Sequence, residues 1–287
     1  MSAVKKKITQ VAELLQQADA VLIGAGAGLT AAAGINYLDE QRFADIFPGW
    51  VKRGFSAQYQ LMGYPYWTQL EQWGYYKTHL EYVYFGQHHN PLYQQLYNLV
   101  KDKNYFVMTS NVDGLFYKNG FDRSRLYTPQ GDYGKIQCTV PCSNQTWNIE
   151  PFLEAMAPYY DPVEQVLTDE RGIPKCPNCG SNMFIHARID GSFIDAEHKD
   201  EHKQLMAWLN NVVTQKVLLL DLGSGFNTPT VIRIPLEKLA HALPKAHLVR
   251  VNLEHEKIGP ELSSKAYSLK QDISEFIQGL ARQIPTT

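Results

Sequence analysis

Short apolar runs alternate with amphipathic stretches along most of the chain. Apolar residues recur at helical spacing over residues 4–17, and helical patterns also cover residues 92–101, 230–243 and 274–283. Four-residue apolar runs lie at 20–23, 105–108, 217–220 and 248–251. Each run ends in a glycine or a polar residue, as expected of parallel strands that are buried on both faces. Strands alternating with helices predict an α/β fold with a doubly wound, Rossmann-like parallel sheet.

Two stretches interrupt this alternation. Residues 36–89 are rich in Tyr, Trp and Phe, and we expect a helical insertion whose rings pack together rather than form a surface for stacking a ligand. Residues 138–193 hold all the cysteines and form a second insertion, a zinc-binding module. The predicted Rossmann-like domain therefore consists of residues 1–35, 90–137 and 194–287.

Composition sets limits on the class of protein. A chain of 287 residues can form one large domain with an inserted smaller one. The formal net charge of −2 argues against a dominant electrostatic surface for nucleic acid. The amino terminus is basic, but no apolar run follows it, so we expect no secretory signal. No stretch approaches the roughly 18 apolar residues of a membrane-spanning helix, and we expect a cytoplasmic protein.

The four cysteines form two close pairs. They are Cys138 with Cys142, and Cys176 with Cys179. In a cytoplasmic chain, such pairs favour metal ligands over disulfides or free thiols. Four thiolates suit tetrahedral Zn2+ and leave no open position for water, so we predict one structural zinc per chain.

A glycine-rich loop follows the first predicted strand. The sequence from residue 24 is Gly-Ala-Gly-Ala-Gly, and a helix pattern follows it. Glycines let the backbone approach a phosphate, and the amides at a helix start point towards it, so we predict nucleotide binding. A hydride-transferring dehydrogenase would need a second strand ending in an acid about twenty residues later. Residues 44–50 contain a proline and no strand pattern, which argues against that class of enzyme.

Five segments in order resemble the sirtuins, the NAD-consuming deacylases and ADP-ribosyltransferases. Residues 26–35 are similar to the opening motif of that family, and residues 109–113, Thr-Ser-Asn-Val-Asp, are similar to its Thr-Gln-Asn-Ile-Asp segment. Residues 223–225 and 251–254 match its Gly-Ser and Asn-x-Glu segments, and Pro-Gln-Gly at 129–131 stands where the family has His-Gly. The resemblance covers nearly the whole chain.

The resemblance implies that NAD is the co-substrate. The implied NAD-binding residues are Gly26, Ala27, Gly28, Thr30, Gly34, Asn111, Asp113, Gly223, Ser224, Gly225, Asn227, Asn252, Leu253, Glu254 and Asp272. The family's Pro-Asp-Phe-Arg segment is absent, and we expect Arg42 and Phe43 to supply the missing arginine and aromatic ring. The family's substrate-clamping strand is replaced by Phe-Ile-His-Ala-Arg-Ile-Asp at 184–190, a pattern that resembles the macrodomain-linked (class M) microbial sirtuins.

The glutamine at position 130 changes the expected chemistry. Gln130 has no titratable proton and cannot replace the histidine that activates a ribose hydroxyl during deacylation. Because such general-base catalysis is typically worth 10²–10⁴-fold, deacylation is expected to be weak. We expect Asn111 and Gln130 to position the ribose for direct attack by a protein side chain, and Arg188 to orient that acceptor.

The expected function is protein mono-ADP-ribosylation. The class M resemblance implies an acceptor of the lipoylated glycine-cleavage H type and a macrodomain protein that reverses the mark. Charge and hydropathy predict no nucleic-acid or membrane partner. Two alternatives remain open, namely a deacylase of unusual acyl preference and a catalytically silent NAD-sensing module. Release of nicotinamide would distinguish either enzyme from the sensor. The molecule that receives ADP-ribose, a protein or a small acyl product, would distinguish the transferase from the deacylase.

Overall fold

The computed structural model describes residues 3–284, so both extremities of the sequence, including residues 1 and 2 of the basic amino terminus, lie outside the described residues. The helices are α1 Ala3–Gln17, α2 Ala27–Ala32, α3 Glu40–Ile46, α4 Pro48–Val51, α5 Gln69–Leu80, α6 Pro91–Val100, α7 Leu115–Lys118, α8 Glu150–Met156, α9 Ala196–Val212, α10 Arg233–Ala242 and α11 Ile273–Ala281. The strands are β1 Ala20–Ala25, β2 Asn104–Thr109, β3 Leu126–Tyr127, β4 Gly131–Cys138, β5 Thr146–Asn148, β6 Tyr160–Asp161, β7 Val166–Leu167, β8 Met183–Ala187, β9 Val217–Leu222, β10 His247–Val251 and β11 Ala266–Leu269.

The chain forms two compact units, each assembled from separate stretches. Unit 1 consists of Met1–Gly34, His89–Gln130 and Glu197–Thr287. Unit 2 consists of Ile35–His88 and Gly131–Ala196. The aromatic stretch and the cysteine-bearing stretch therefore belong to one compact unit.

Unit 1 is built on a six-stranded parallel sheet. Its strand order is β11-β10-β9-β1-β2-β3, and every pairing is parallel. The order reverses between β1 and β9, which pair in register from Ala20 with Val217 to Ala25 with Leu222. This arrangement confirms the predicted doubly wound, Rossmann-like sheet.

Both faces of the central strands are covered, which explains why those strands are apolar throughout. Every residue of β1 and of β9 is buried. On one face, Leu205 and Leu209 of α9 and Leu236 and Ala240 of α10 pack into the core that contains Leu22. A second group of helices packs together, in which α11 contacts α1, α2 and α6. No helix among residues 3–284 is both long and apolar enough to cross a lipid bilayer.

Two strands of the sheet are not evident in the apolar pattern. Strand β3 has only two residues, and β11 has three half-buried residues out of four. Both lie at the outer edges of the sheet, where a strand has only one neighbour and needs no continuous apolar run. Their short length and partial exposure explain why hydrophobic periodicity does not reveal them.

Unit 2 contains two small antiparallel sheets. Strand β4 lies between β5 and β8, and β6 pairs with β7. Helix α5 packs so closely on the β6–β7 hairpin that a Cβ on Gly74 would lie 2.2 Å from the Cα of Val166. In the hairpin, Gln165 adopts φ 56° and its side-chain amide donates to the carbonyl oxygen of Ile46 at 2.7 Å. These contacts join the aromatic stretch to the cysteine-bearing stretch.

The aromatic residues of unit 2 pack against one another. Trp50, Trp73 and Tyr75 are fully buried, and Tyr75 contacts the rings of Phe47, Trp50 and Trp67 at centroid distances of 5.4–6.0 Å. Most of these contacts are tilted or edge-to-face, the arrangement that aromatic quadrupoles favour. The rings therefore form a core, as the sequence predicts.

Candidate functional site

Two glycine loops meet where the strand order reverses. The turn from β1 into α2 carries Gly26 and, in the first turn of the helix, Gly28, and the loop after β9 carries Gly223. A Cβ on Gly26 would lie 2.7 Å from the carbonyl oxygen of Gly223, and a Cβ on Gly28 would lie 2.7 Å from its Cα. Gly223 has φ +76°, a conformation that favours glycine. The carboxyl edge of a parallel sheet at this point is where nucleotides bind in doubly wound folds.

The first glycine loop is also tied to β2. The Asn111 side chain donates to the Gly26 carbonyl oxygen at 3.0 Å, and the Asn111 N–H donates to the Thr109 hydroxyl at 3.0 Å. The Thr109 hydroxyl in turn donates to the Ala25 carbonyl oxygen at 3.1 Å. Asn111 is half-buried, and these contacts fix the orientation of its side-chain amide. The predicted catalytic Asn111 and the predicted phosphate loop are therefore held together.

Asp113 fastens the helix after the glycine loop to the segment after β2. It is 3% exposed, and its carboxylate accepts from the Thr30 hydroxyl at 2.7 Å and from the Leu115 N–H at 2.9 Å. Tyr93, fully buried, lies against the same group: burial, followed by the Asp113 charge, raises the pKa of Tyr93 well above its usual value. Thr30 and Asp113 thus organise the loop from inside the protein.

The second glycine loop is held by a buried ion pair. The Ser224 hydroxyl donates to Asp221 at 2.7 Å, and the same carboxylate accepts from Arg250 Nε at 2.6 Å. Arg250 also donates to Glu237 at 2.7 Å. The side chains of Asp221 and Arg250 are fully buried, so each charge depends on its partner. The Ser224 hydroxyl proton is directed to Asp221, and this bond helps to hold the shape of the loop.

The third set of predicted residues follows β10 and β11. The Asn252 side chain donates to the Ser224 carbonyl oxygen at 3.0 Å and accepts from the Glu254 N–H at 3.0 Å. Glu254 is exposed, as are Leu253 and Asn227. Asp272 caps α11 by accepting from the Glu275 N–H at 3.0 Å.

Gln130 belongs to the same edge of the sheet. It is half-buried and lies three residues after the end of β3. Each strand of the parallel sheet is followed by a predicted site residue: Gly26 after β1, Asn111 after β2, Gln130 after β3, Ser224 after β9, Asn252 after β10 and Asp272 after β11. Carboxyl ends of parallel strands lie on one edge, so the fold brings these positions to one edge of the sheet.

Three predicted residues lie in unit 2. Arg42 is exposed on α3, whereas Phe43 is buried and stacks on Phe47 with ring centroids 5.1 Å apart. The Arg188 guanidinium lies 4.3 Å above the ring of Phe193. The ring of Phe43 is therefore part of the aromatic core, and Arg188 is held by a cation–π contact.

The four cysteines form one cluster in unit 2. All four Sγ atoms lie within 4.8 Å of one another, with Cys138 and Cys179 at 3.6 Å and Cys142 and Cys176 at 3.7 Å. Metal–sulfur bonds of about 2.3 Å in a tetrahedron place sulfurs about 3.8 Å apart. The donor set and its spacing therefore fit a tetrahedral metal ion, whereas a disulfide needs about 2.05 Å between sulfurs.

Several supporting residues are not found by motif comparison. Asp221 and Arg250 are charged residues in two neighbouring strands whose other residues are apolar, apart from His247 at the start of β10. A charge within each of two buried strands is a signal that they pair, because a lone buried charge is costly. Thr109 gives no such signal, since threonine is common in strands.

The chain resembles known proteins over most of its length. No protein-family model matches it. A "Probable bifunctional ADP-ribose hydrolase/ADP-ribosyltransferase" of Fusarium oxysporum f. sp. cubense is 37% identical over 281 residues, covering 95% of this chain and 46% of that protein. A "Protein ADP-ribosyltransferase" of Staphylococcus aureus is 29% identical over 294 residues, covering 100% of this chain and 92% of that protein. The chain thus spans about half the length of the fungal relative.

Solved structures show the same fold. A structure that concerns the basis of sirtuin substrate affinity has a TM-score of 0.57 at 18% identity and covers 96% of this chain and 97% of its own. A Sir2 protein solved with a p53 peptide and NAD+ has a TM-score of 0.57 at 16% identity, covering 96% of this chain and 98% of its own. The chain is therefore sirtuin-like: it has the Sir2 fold, and it is related in sequence to proteins named as ADP-ribosyltransferases.

Proposed function

We propose that this protein is an NAD-dependent mono-ADP-ribosyltransferase of sirtuin type. It transfers ADP-ribose from NAD to a protein acceptor and releases nicotinamide. The observation that carries the proposal is the amide of Gln130 on the carboxyl edge of the sheet, at the sequence position where the sirtuin resemblance implies a histidine base. The names of the two sequence relatives agree with this activity.

The glycine loops would hold the dinucleotide. The turn from β1 into α2 would face the phosphates, and Gly26, Gly28 and Gly223 let this turn pack directly against the backbone of the second loop. Asn252 and Glu254 would bind the adenosine ribose, with Asn227 and Asp272 beside them. Asp113 and Ser224 would act by fixing the loops, since their polar atoms already bond within the protein.

Asn111 and Gln130 would position the nicotinamide ribose. In the transfer, an acceptor atom forms a bond to ribose C1′ while the bond from C1′ to the nicotinamide nitrogen breaks. Nicotinamide leaves with the bonding electron pair. An acceptor that is already an anion, such as a carboxylate, has no proton to lose, so the reaction needs orientation more than a base. Arg188 would orient such an acceptor.

The test is transfer of label from NAD to protein. We expect label on a lipoylated carrier protein of the glycine-cleavage H type, together with released nicotinamide. Gln130→Ala should lower the rate by about tenfold or more because the ribose loses a positioning group. Gln16→Ala, on the exposed surface of α1, is the matched control and should transfer at the original rate.

Each rival function gives a different result in that assay. Efficient removal of acetyl groups from lysine peptides, without label on any protein, would identify a deacylase. Binding of NAD with no nicotinamide release would identify a silent sensor. Either result would exclude the proposed transferase. Gln130→His should raise acyl removal by up to about 10²-fold if the amide is what suppresses it.

We also propose zinc as the metal of the cysteine cluster. Four thiolates are soft ligands that select zinc among abundant divalent ions and leave no site for a reacting water. The metal would thus stabilise unit 2 and take no part in the transfer. A macrodomain protein that removes ADP-ribose is the proposed functional partner, testable by loss of label from the modified carrier.

A further inference from the structure

A partly buried acidic side chain holds the segment that leads into Gln130. The Glu201 carboxylate on α9 accepts from the Thr128 N–H at 2.8 Å and from the Thr128 hydroxyl at 3.0 Å. It also accepts from His198 Nδ1 at 2.9 Å. His198 is almost fully buried, and the Glu201 side chain is 25% exposed. All three contacts use the same carboxylate oxygen, Oε2.

This contact restrains the backbone two residues before Gln130. Pro129 lies between them, has no N–H and has its φ fixed near −65° by its ring. Because Pro129 cannot donate, Thr128 is the last residue before Gln130 whose backbone N–H can be held by an acceptor, and that acceptor is Glu201. The segment follows β3, whose two residues pair with Val107 and Met108 of β2. A strand this short cannot by itself fix the residue that lies three positions beyond it.

The residue after Gln130 is equally constrained. Gly131 has φ +113°, and a Cβ at that position would lie 2.0 Å from the carbonyl oxygen of His186. Within unit 2 it pairs with Ala187 of β8. Gln130 is thus bounded on one side by the contact of Thr128 with α9 and on the other by a glycine that tolerates no side chain.

We propose that Glu201, supported by His198, is a positioning residue that sets the backbone of Thr128 and thereby aims the Gln130 amide at the ribose. This role rests on the proposed transferase function. Charge-assisted hydrogen bonds are roughly twice as strong as neutral ones, which explains why a carboxylate suits this position better than an amide. A displacement of about 1 Å in a reacting group can lower a rate by about 10²-fold, so a small shift of this segment is enough to matter.

The test compares variants of neighbouring residues on α9. Glu201→Ala should lower kcat for ADP-ribosyl transfer by about 10- to 10²-fold while KM for NAD stays within about twofold, since the glycine loops are untouched. Glu201→Gln keeps an oxygen acceptor without charge and should recover part of the loss. Asp200→Ala is the matched control: Asp200 is exposed and pairs only locally with Lys203, so kcat and KM should be unchanged.

A second measurement does not depend on activity. Loss of the Glu201 acceptor should speed hydrogen exchange of the Thr128 amide in the full chain, with little change in Glu201→Gln and none in Asp200→Ala. If the unchanged protein transfers no ADP-ribose, the proposed function fails, and this exchange measurement still decides whether Glu201 holds Thr128. If Glu201→Ala does not fold, Thr128→Val takes its place. This variant keeps the N–H but loses the hydroxyl, so its kcat should fall by less than that expected for Glu201→Ala.

Three results would overturn the proposal. One is a kcat within about twofold of the original for Glu201→Ala. Another is a loss that appears only in KM for NAD. The third is a Thr128 amide that exchanges at the original rate once the carboxylate is removed.

Discussion

His79 is a histidine whose surroundings keep it neutral. It is 1% exposed in the aromatic core of unit 2, where the Gln58 side-chain amide donates to Nδ1 at 2.5 Å. The rings of Tyr75 and Tyr133 lie 5.5 and 5.1 Å away. Burial lowers the pKa of His79 to about 3. An ordinary histidine in the unfolded chain titrates near 6.5, so protonation favours unfolding.

The folded protein should therefore lose stability as the pH falls below about 6.5. Between that pH and about 3, the unfolded chain binds a proton at His79 that the folded chain does not, so the free energy of unfolding decreases. At about pH 5 the loss from this one group is about 2 kcal/mol. Urea denaturation of His79→Gln at about pH 7.5 and about pH 5 should show a correspondingly smaller fall.

His241→Gln is the control for this prediction, since His241 is exposed on α10. It should keep the acid sensitivity of the original protein. An acid-induced loss that is the same in His79→Gln as in the original would show that other groups cause it.

The paired glycine loops are the element that shapes the proposed dinucleotide site. Gly28→Ala should weaken NAD binding and destabilise the fold by about 1–3 kcal/mol, because the added methyl group would overlap the backbone of Gly223. Titration with NAD and urea denaturation measure the two effects. Gly191→Ala, where a Cβ meets nothing within 4 Å, is the control and should change neither. Unchanged NAD affinity in Gly28→Ala would place the dinucleotide elsewhere.

The central elements are the ones that sequence alone predicts. Strands β1, β2, β9 and β10 are apolar because helices cover both faces, and this burial is what the pattern records. Glycines mark the loops because only glycine permits the close approach of Gly28 to Gly223. Edge strand β11 shows no continuous apolar run, because three of its residues are only partly buried.

Long-range polar contacts lie beyond sequence patterns for a different reason. Thr128 and Glu201 are 73 positions apart and meet only because α9 packs beside the end of β3. Thr30 and Asp113 are 83 positions apart, and motif comparison assigns both to the ligand, whereas the structure pairs them with each other. Periodicity describes which face of an element is buried, and it carries no information about which polar groups meet there.

At the scale of the whole molecule, the cysteine cluster closes unit 2 across two distant loops. Metal analysis should find one zinc per chain, and Cys142→Ser should lower metal content and destabilise unit 2 by several kcal/mol. The control is Val140→Ser, an exposed position in the same loop. Purified protein with no stoichiometric metal and full stability would contradict the assignment.

The discontinuous make-up of the two units bears on the order in which they form during synthesis. Unit 2 is fully translated once Ala196 has been added, whereas β1 at Ala20 must wait for its neighbour β9 at Val217. Domains generally fold as units while the chain emerges, and parallel pairing between distant segments is slow. Nascent chains should therefore acquire protease-resistant unit 2 while β1 can pair with β2 but still lacks β9 on its other edge, which makes that edge of β1 the part most in need of a chaperone.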